Sequence, residues 1–370
     1  MCNVLFIDDD NFMLRALSRL ARRLRPDWHF WTEDDCLNWS KSLTANIKLD
    51  LVFCDYLMPA CNGDKVLMNV ALTHPGAVRV LLTGDTTENV VCNISRFDHF
   101  VVSKPFQEHD IEKVFHALER INMLPVSSAV KGMLCGSALL LPLPTVVRKI
   151  NALLLNDEID ISDIVAIIEH EPVIAARILQ LANSAFFGFP RTTHSLEEAV
   201  RRLGIKLTGA VVTSIAIDES SAPLLDPKLH RMINDEAFEV AMNTRPLCKT
   251  LGYNRSLQDE LFAIALLSAI GELVMATDKW QGTYAEAFVS WSKTKIQAVI
   301  SAFMLTIWGC SESVCNTLLW SYEPDFRYAN DNFALILFLA RNRANNGGQL
   351  PEEVLRLLPD ESFRVKIANA

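Results

Sequence analysis

Polar side chains follow four apolar segments near the start of the chain, at the point where each segment ends. The run LVFC ends on Asp55, and so apolar a run is typical of a strand covered on both faces. The other residues that follow such runs are Asp8, Asp9 and Asp10 after NVLFI, Thr83 at the end of VRVLLT, and Lys104 after HFVVS. Taken singly, each would be an ordinary polar strand end. Their combination at four strand ends favours a functional interpretation.

The residue types indicate phosphoryl chemistry. Clustered carboxylates repel one another and are the ligands that a hard divalent cation such as Mg²⁺ prefers. A carboxylate beside such a cation can act as a nucleophile toward a phosphoryl group, while the cation and a lysine neutralise charge on the phosphoryl oxygens. A threonine hydroxyl can then donate a hydrogen bond to the phosphate. We therefore interpret Asp55 as an acid positioned to receive a phosphoryl group.

The segments between these residues alternate between strand and helix. Apolar runs predict strands at 3–7, 28–32, 50–54, 78–83 and 99–103, and amphipathic patterns predict helices at 12–24, 63–74, 87–97 and 108–121. Such alternation is typical of a parallel sheet with helices on both faces. In these sheets ligands bind beyond the carboxyl ends of the strands, which is where the residues named above lie.

Residues 1–123 resemble the receiver domain of two-component response regulators. The resemblance rests on Asp8 and Asp9, on the motif D-x-x-M-P-x-x-x-G that begins at Asp55, on Thr83-Gly84 and on Lys104-Pro105. It implies a doubly wound, flavodoxin-like α/β fold with a five-stranded parallel sheet. It also implies that Asp55 accepts a phosphoryl group from a histidine kinase. Mg²⁺ would be bound by Asp8, Asp9, Asp55 and the backbone carbonyl of Leu57, and Thr83 and Lys104 would contact the phosphate.

Two positions depart from the receiver pattern. The switch aromatic usually lies three residues before the lysine, where this chain has Val101. Phe100 is adjacent but is expected to point to the other face of its strand. Leu57 offers no polar side chain to orient an attacking water, so we expect the acyl phosphate to hydrolyse slowly.

The sequence pattern of the rest of the chain predicts a linker followed by helices. Residues 124–138, rich in Ser, Gly and Pro, are predicted to be a linker. Residues 139–345 are predicted to form an all-α domain and 346–370 a helical tail. Ser195 and Glu198 form a capping-box pattern at the start of a predicted helix, and Gly204 is expected to end that helix. Pro172 is expected to be the first residue of another helix.

This second region resembles the HDOD domain, the HD-related output domain of bacterial signalling proteins. The resemblance rests on N-S-A-F-F-G at 183–188, on the following A-V-R-R-L-G, and on LPLPTVVRKINALL and IWGCSESVCNTLLW. Asn183 and Ser184 could contact a ligand. We favour the interpretation that they cap a helix and fix the turn after it.

The residues argue against metal-dependent catalysis by the helical region. HD phosphohydrolases bind metals through histidines and a His-Asp pair, whereas the corresponding positions here read Ser268-Ala269 and Ser321-Tyr322. No histidine follows His230. These residues supply neither imidazole nor carboxylate ligands. We therefore expect no catalytic residue in this region and no enzyme activity beyond the receiver's own phosphoryl chemistry.

Length, net charge and cysteine content disfavour several classes of protein. The chain has 370 residues and a net charge of −9, so about two domains are expected and a general nucleic-acid binder is disfavoured. The N-terminus is not that of a signal peptide, and nine cysteines without a C-x-x-C pair indicate reduced thiols. A soluble cytoplasmic protein is expected.

The sequence favours the first of three functions, and the other two are alternatives. The first is a bacterial response regulator whose HDOD domain acts by protein–protein contact after phosphorylation at Asp55. Its partners would be a sensor histidine kinase or phosphotransfer protein and a downstream protein. Because receivers often dimerise through their last helix and strand, a homodimer is also considered. The second is an HDOD cyclic-dinucleotide phosphodiesterase or a small-ligand or nucleotide-binding regulator, and the third is a nucleic-acid binder.

Overall fold

The chain divides by internal packing into two units, which are described separately. One comprises Met1–Pro142 with Phe303–Gly309, and the other Leu143–Ala302 with Cys310–Ala370. The computed structural model describes residues 1–41, 43, 47–84, 99–136, 144–154, 159–183, 191–278, 280, 288, 290–326, 332–358 and 361–368. The domain limits 1–123, 124–138, 139–345 and 346–370 stay predictions.

The N-terminal unit contains a five-stranded parallel sheet in the order β2-β1-β3-β4-β5. Its strands are β1 (Asn3–Ile7), β2 (His29–Glu33), β3 (Leu51–Asp55), β4 (Val78–Thr83) and β5 (Phe100–Ser103). Its helices are α1 (Asn11–Leu24), α2 (Gly63–Thr73), α3 (Glu108–Met123) and α4 (Ser128–Leu134). The predicted α/β fold is therefore confirmed. The predicted helix at 87–97 lies outside the described residues.

The two faces of this sheet bury different side chains because successive strand residues point to opposite sides. On one face Leu5, Val52 and Leu81 pack against Val66 and Val70 of α2. On the other face aromatic rings dominate, with Phe6 and Phe53 stacked at 5.1 Å between ring centroids. Every residue of β3 and β4 is buried. Both strands are therefore fixed on two sides, and their last residues have little freedom to move.

The crossover from β2 to β3 is made by turns in its described part. Cys36, Trp39 and Leu49 of this segment are buried in the core on the α2 side. A large aromatic side chain thus supplies the apolar cover that a crossover helix usually provides. None of the described helices in either unit combines the length and apolar character that crossing a membrane requires.

The second unit is helical in its described part. Its helices are α5 (Thr145–Leu154), α6 (Ile161–Ile168), α7 (Pro172–Ala182), α8 (Leu196–Leu203), α9 (Ile205–Ser221), α10 (Pro227–Thr250), α11 (Arg255–Leu267), α12 (Ala269–Met275), α13 (Lys293–Ile307), α14 (Glu312–Trp320), α15 (Phe333–Asn345), α16 (Glu352–Arg356) and α17 (Glu361–Ala368). The residues of α13 from Phe303 onward are counted with the first unit in this division. Several local expectations are confirmed. Pro172 is the first residue of α7, Ser195 caps α8, and Gly204 ends α8 with φ +80°.

One glycine lets α12 and α13 approach closely. A Cβ built on Gly271 would lie 2.2 Å from the backbone carbonyl oxygen of Gln297. The Gly271 N–H instead donates to Ser301 Oγ at 2.9 Å. Any side chain at this position would push the two helices apart, and they carry the charged residues considered below.

Candidate functional site

The register of the sheet brings the polar strand ends together. Ile7 is opposite Cys54, so Asp8 and Asp55 are neighbours one residue further along β1 and β3. Asp55 is opposite Leu82, and Thr83 is opposite Ser103. Lys104 follows Ser103 directly. Residues that are far apart in sequence therefore meet at the carboxyl edge of the sheet, as their positions after apolar runs predicted.

Lys104 links the two buried carboxylates. Its Nζ lies 2.8 Å from Asp8 Oδ2 and 2.7 Å from Asp55 Oδ1. Asp8 and Asp55 are 1% and 7% exposed, whereas Asp9 is exposed. The other Asp8 oxygen accepts a hydrogen bond from the backbone N–H of Asp10 at 2.9 Å. Asp8 and Asp55 thus lie in fixed positions, and Asp9 remains open to solvent.

The pKa values of Lys104 and Asp55 are shifted by burial and by the charged groups around them. Burial raises the pKa of Asp55, Lys104 opposes this rise, and the nearby charges of Asp8 and Asp9 add to it. For Lys104, burial favours the neutral form, but its hydrogen bonds to Asp55 and Asp8 outweigh that effect and raise its pKa. Lys104 is therefore held as a cation. One cation balances only part of the charge of three acids.

The remaining negative charge suits a divalent metal ion. Ligand oxygens of Asp8, Asp9 and Asp55 all lie within 4.8 Å of one another. Three carboxylates with one lysine leave an excess of two negative charges, which matches one Mg²⁺. Among the described residues, no other group of three or more His, Cys, Asp or Glu has this geometry. The chemistry of this donor set therefore fits Mg²⁺, and its binding stays a prediction.

The loop after β3 is closed tightly over the acceptor. Leu57 and Asn62 pair in an isolated antiparallel bridge, and the Gly63 N–H donates to the Tyr56 carbonyl oxygen at 2.9 Å. A Cβ on Gly63 would lie only 2.1 Å from the carbonyl oxygen of Asp55. The glycine of the D-x-x-M-P-x-x-x-G motif is therefore required by this close approach. The assignment of the Leu57 carbonyl as a metal ligand stays a prediction.

The expected phosphate-contacting residues also lie at this edge. Thr83 is 1% exposed, and its carbonyl oxygen accepts a hydrogen bond from the Lys104 N–H at 2.7 Å. The Lys104-Pro105 peptide bond is cis. Val101, at the position of the usual switch aromatic, lies opposite Leu81 and is half-buried. The roles of Thr83 and Lys104 toward a phosphate remain predictions.

Sequence reasoning missed a second buried polar group at the opposite end of β4. Arg79 is fully buried, and its guanidinium donates to the carbonyl oxygens of Ala77 and Cys135 at 3.0 and 2.9 Å. The Arg79 backbone N–H donates to His99 Nδ1 at 2.9 Å. Lys131 of α4 lies near Asp50 and Asn122. These contacts attach the segment predicted as a linker to the sheet. In the sequence, this buried group was indicated only by the arginine within the apolar run VRVLLT.

The HD-like positions of the helical unit hold hydroxyl groups that bond their own helices. Ser268 Oγ donates to the Ala265 carbonyl oxygen at 2.6 Å, and Ser321 Oγ donates to the Leu318 carbonyl oxygen at 2.8 Å. His170 and His194 are exposed. These positions therefore present no metal-binding set among the described residues.

Asn183 fixes the chain that follows α7. Its Nδ2 donates to the Thr193 carbonyl oxygen and its Oδ1 accepts from the Thr193 N–H, both at 2.8 Å. This paired contact holds the backbone of Thr193 against the end of α7. This geometry fits the favoured interpretation, in which Asn183 caps the helix and fixes the chain after it. Ser184 lies outside the described residues.

Comparison with known proteins finds solved structures that are similar to parts of this chain. The N-terminal region is similar to a response regulator receiver domain from Clostridium thermocellum, at 19% identity, covering 33% of this chain and 98% of that one with a TM-score of 0.30. It is also similar to the signal receiver domain of an HD domain-containing protein from Pseudomonas fluorescens, at 21% identity, covering 32% and 85% with a TM-score of 0.29.

Two further proteins are similar to parts of this chain. An HDOD domain protein from Geobacter sulfurreducens is 17% identical, with 70% of this chain and 88% of that one covered and a TM-score of 0.45. An uncharacterised protein from Treponema pallidum is 23% identical over 198 residues, which span 49% of this chain and 37% of that protein. The match thus spans about a third of that curated relative. The HDOD domain family model matches residues 140–324, half of the chain. The chain belongs to the HDOD domain family and carries this domain after a receiver-like α/β unit.

Proposed function

We propose that this protein is a two-component response regulator in which Asp55 accepts a phosphoryl group and the HDOD domain transmits the signal without catalysis. The observation that carries the proposal is the contact of Lys104 with both Asp8 and Asp55, at 2.8 and 2.7 Å. A lysine in this position can neutralise an incoming phosphoryl group beside its acceptor. The donor would be a sensor histidine kinase or a phosphotransfer protein.

The transfer requires an ionised Asp55. A carboxylate oxygen of Asp55 attacks the phosphorus atom, and the bond between phosphorus and the donor's imidazole nitrogen breaks. Its electron pair stays on that nitrogen, and Asp55 becomes an acyl phosphate. Mg²⁺, held by Asp8, Asp9, Asp55 and the Leu57 carbonyl, would supply charge neutralisation. Lys104 and the Thr83 hydroxyl would then bind the phosphate oxygens and shift the equilibrium between two states of the receiver.

The HDOD domain is assigned a binding role because its HD-like positions carry serine hydroxyls in place of metal ligands. Its output would be a contact with a downstream protein. This part of the proposal predicts no hydrolysis of a cyclic dinucleotide by the full-length protein, with or without added divalent metal.

The test uses the full-length protein with Mg²⁺ and acetyl phosphate labelled on phosphorus. We expect a hydroxylamine-labile label on the wild type and none on Asp55→Asn. Asp27→Asn, a change at an exposed acid of the same unit, is the matched control and is expected to label like the wild type. A label that persists on Asp55→Asn would contradict the assignment of the acceptor.

A second experiment addresses the output. The full-length protein would be used to capture partners from native lysate, with and without beryllofluoride as a phosphoryl mimic, beside Asp55→Ala. Enrichment of a protein only with mimic-treated wild type supports a phosphorylation-dependent contact. Equal capture in all arms contradicts it.

The rate of dephosphorylation is a further expectation. Leu57 is 62% exposed and its side chain cannot orient an attacking water. The label on Asp55 is therefore expected to last for many minutes, and a half-life of seconds would contradict this.

A further inference from the structure

The last of the three acids that follow β1 has different partners from the first two. The carboxylate of Asp10 lies outside the group of three whose oxygens are all within 4.8 Å of one another. Its Oδ1 accepts hydrogen bonds from the backbone N–H groups of Phe12 at 2.7 Å and Met13 at 3.4 Å. Asp10 is therefore the N-cap of α1. Because a helix N-terminus carries partial positive charge, this contact also favours an acid beside two others.

The backbone of Asp10 contacts a predicted metal ligand. Its N–H donates to Asp8 Oδ1 at 2.9 Å, while Lys104 Nζ lies 2.8 Å from Asp8 Oδ2. The two contacts engage both oxygens of a carboxylate that is only 1% exposed. The orientation of the Asp8 carboxylate therefore depends on the position of the Asp10 N–H.

The start of α1 fixes that position. The Asp10 carbonyl oxygen accepts from the Leu14 N–H at 3.0 Å, so the residue is bonded to the helix through its side chain and its backbone. The next residue is also held, because Asn11 Nδ2 donates to Asp34 Oδ2 at 2.9 Å. Loss of the capping carboxylate would leave N–H groups of the first turn without their acceptor, and the turn would fray. The Asp10 N–H would then no longer be held against Asp8.

We propose that Asp10 is a positioning residue for the Mg²⁺ site, because its cap on α1 holds Asp8 in the orientation that ligation requires. The inference rests on the proposed function, to which the metal site belongs. In this role Asp10 contacts neither the metal nor the phosphate, and its charge is not required. Asn and Ser cap helices about as well as Asp does. Asp10→Asn and Asp10→Ser therefore keep the cap and lose the charge, whereas Asp10→Ala loses both.

The test is calorimetric titration of the full-length variants with MgCl₂. Asp10→Ala is expected to bind Mg²⁺ about tenfold more weakly than the wild type, at the lower end of the effect of residues that orient metal ligands. Asp10→Asn and Asp10→Ser are expected to bind within about threefold of the wild type, because each retains a capping oxygen. Ser127→Ala, which removes the N-cap of α4 in the same unit, is the matched control and is expected to bind like the wild type.

Two further readouts separate positioning from stability. Hydrogen exchange in EDTA, followed in peptides that cover residues 8–14, is expected to be faster in Asp10→Ala than in the wild type and in Asp10→Asn. The initial rate of labelling by acetyl phosphate is expected to fall in Asp10→Ala at limiting Mg²⁺ and to recover at saturating Mg²⁺. A loss of stability alone would not produce this dependence on Mg²⁺.

The outcomes distinguish this inference from the proposed function. Wild-type Mg²⁺ affinity in Asp10→Ala, beside normal Mg²⁺ binding and labelling by the wild type, would overturn the positioning role alone. An equal loss in Asp10→Asn would overturn it by assigning the effect to charge, and an equal loss in Ser127→Ala by assigning it to general stability. Absence of Mg²⁺ binding in the wild type would overturn the metal site of the proposed function and this inference with it.

Discussion

At the carboxyl edge of the sheet three carboxylates surround one lysine, whereas in the helical unit the acid Glu272 already bonds two other side chains. The first arrangement has negative charge in excess and fits a divalent cation. In the helical unit Glu272 is paired with Lys293 and accepts a hydrogen bond from Gln297, so its charge is already balanced. The comparison teaches that buried acids left incompletely paired can take a further cation, whereas an acid with its own cation and hydrogen bond does not need one.

The largest expected difference between the two sites is their response to Mg²⁺. Asp8→Asn removes a buried ligand and is expected to weaken Mg²⁺ binding at least tenfold. Glu272→Gln, in the helical unit, is expected to leave it unchanged. Calorimetric titration of full-length protein with MgCl₂ measures both. Equal loss in the two variants would mean that the metal does not bind at the sheet edge, and the contrast between the sites would fail.

The next largest effect is expected at Gly63 and Gly271, because each allows two backbone segments to approach closely. A Cβ on Gly63 would lie 2.1 Å from the Asp55 carbonyl oxygen, and one on Gly271 would lie 2.2 Å from that of Gln297. Each Gly→Ala change is expected to destabilise its own unit by about 1–3 kcal/mol. Pulsed hydrogen exchange in urea, followed peptide by peptide, assigns the loss to one unit.

Gly132→Ala is the matched control for these two variants. The nearest atom to its Cβ would be the Gly76 backbone nitrogen at 3.9 Å, an ordinary contact, and the residue lies within α4. We expect no loss of stability, and a gain of up to about 1 kcal/mol from helix propensity. If Gly63→Ala behaved like Gly132→Ala, the loop over Asp55 would have to be more adaptable than its bridge indicates.

The strand ends were predictable because the signal is local. LVFC followed by Asp55, and VRVLLT ending on Thr83, give both the strand and the polar residue within a few positions. Parallel pairing then brings these residues to one edge without further information. The motif glycine at position 63 was likewise visible, although its reason, the approach to the Asp55 carbonyl, required coordinates.

The rest of the structure depends on contacts between distant residues. Helix α4 lies in a segment whose Ser and Gly content indicates a linker, and its contacts come from Asp50, Arg79 and Asn122. Arg341 belongs to FALILFLARNRA, where an arginine after apolar residues is typical of a helix surface. Only packing shows that its partner is Ser321 from α14's end. Sequence patterns report a residue's own element and not the elements that cover it.

The third prediction concerns the buried imidazole of the N-terminal unit. His99 Nδ1 accepts from the Arg79 N–H, and burial together with the Arg79 charge holds the pKa of His99 well below its usual value. Below about pH 6.5 the unfolded chain binds a proton here that the native state does not. The native state should therefore lose stability, on the order of 1 kcal/mol per pH unit, as the pH falls below that value, and the loss should disappear above it.

His99→Gln is expected to be less stable at neutral pH but to lose this acid dependence. His194→Gln, a change at an exposed histidine of the helical unit, should retain it. Pulsed hydrogen exchange of the intact protein in urea between pH 4.5 and 7.5, followed in peptides that cover β4 and β5, measures the stability of both variants. The same slope in wild type and His99→Gln would show that other groups govern the acid sensitivity.

The smallest expected effect tests whether Asn183, in the N-S-A-F-F-G signature, has a structural role. Asn183→Ala removes two part-buried hydrogen bonds to the backbone of Thr193 and should destabilise the helical unit by about 1–2 kcal/mol. Asn243→Ala, which loses only a bond to its own helix, should cost less than about 0.5 kcal/mol. If Asn183→Ala kept the wild-type stability, the structural role of Asn183 would be contradicted and the interpretation as a ligand contact would be favoured.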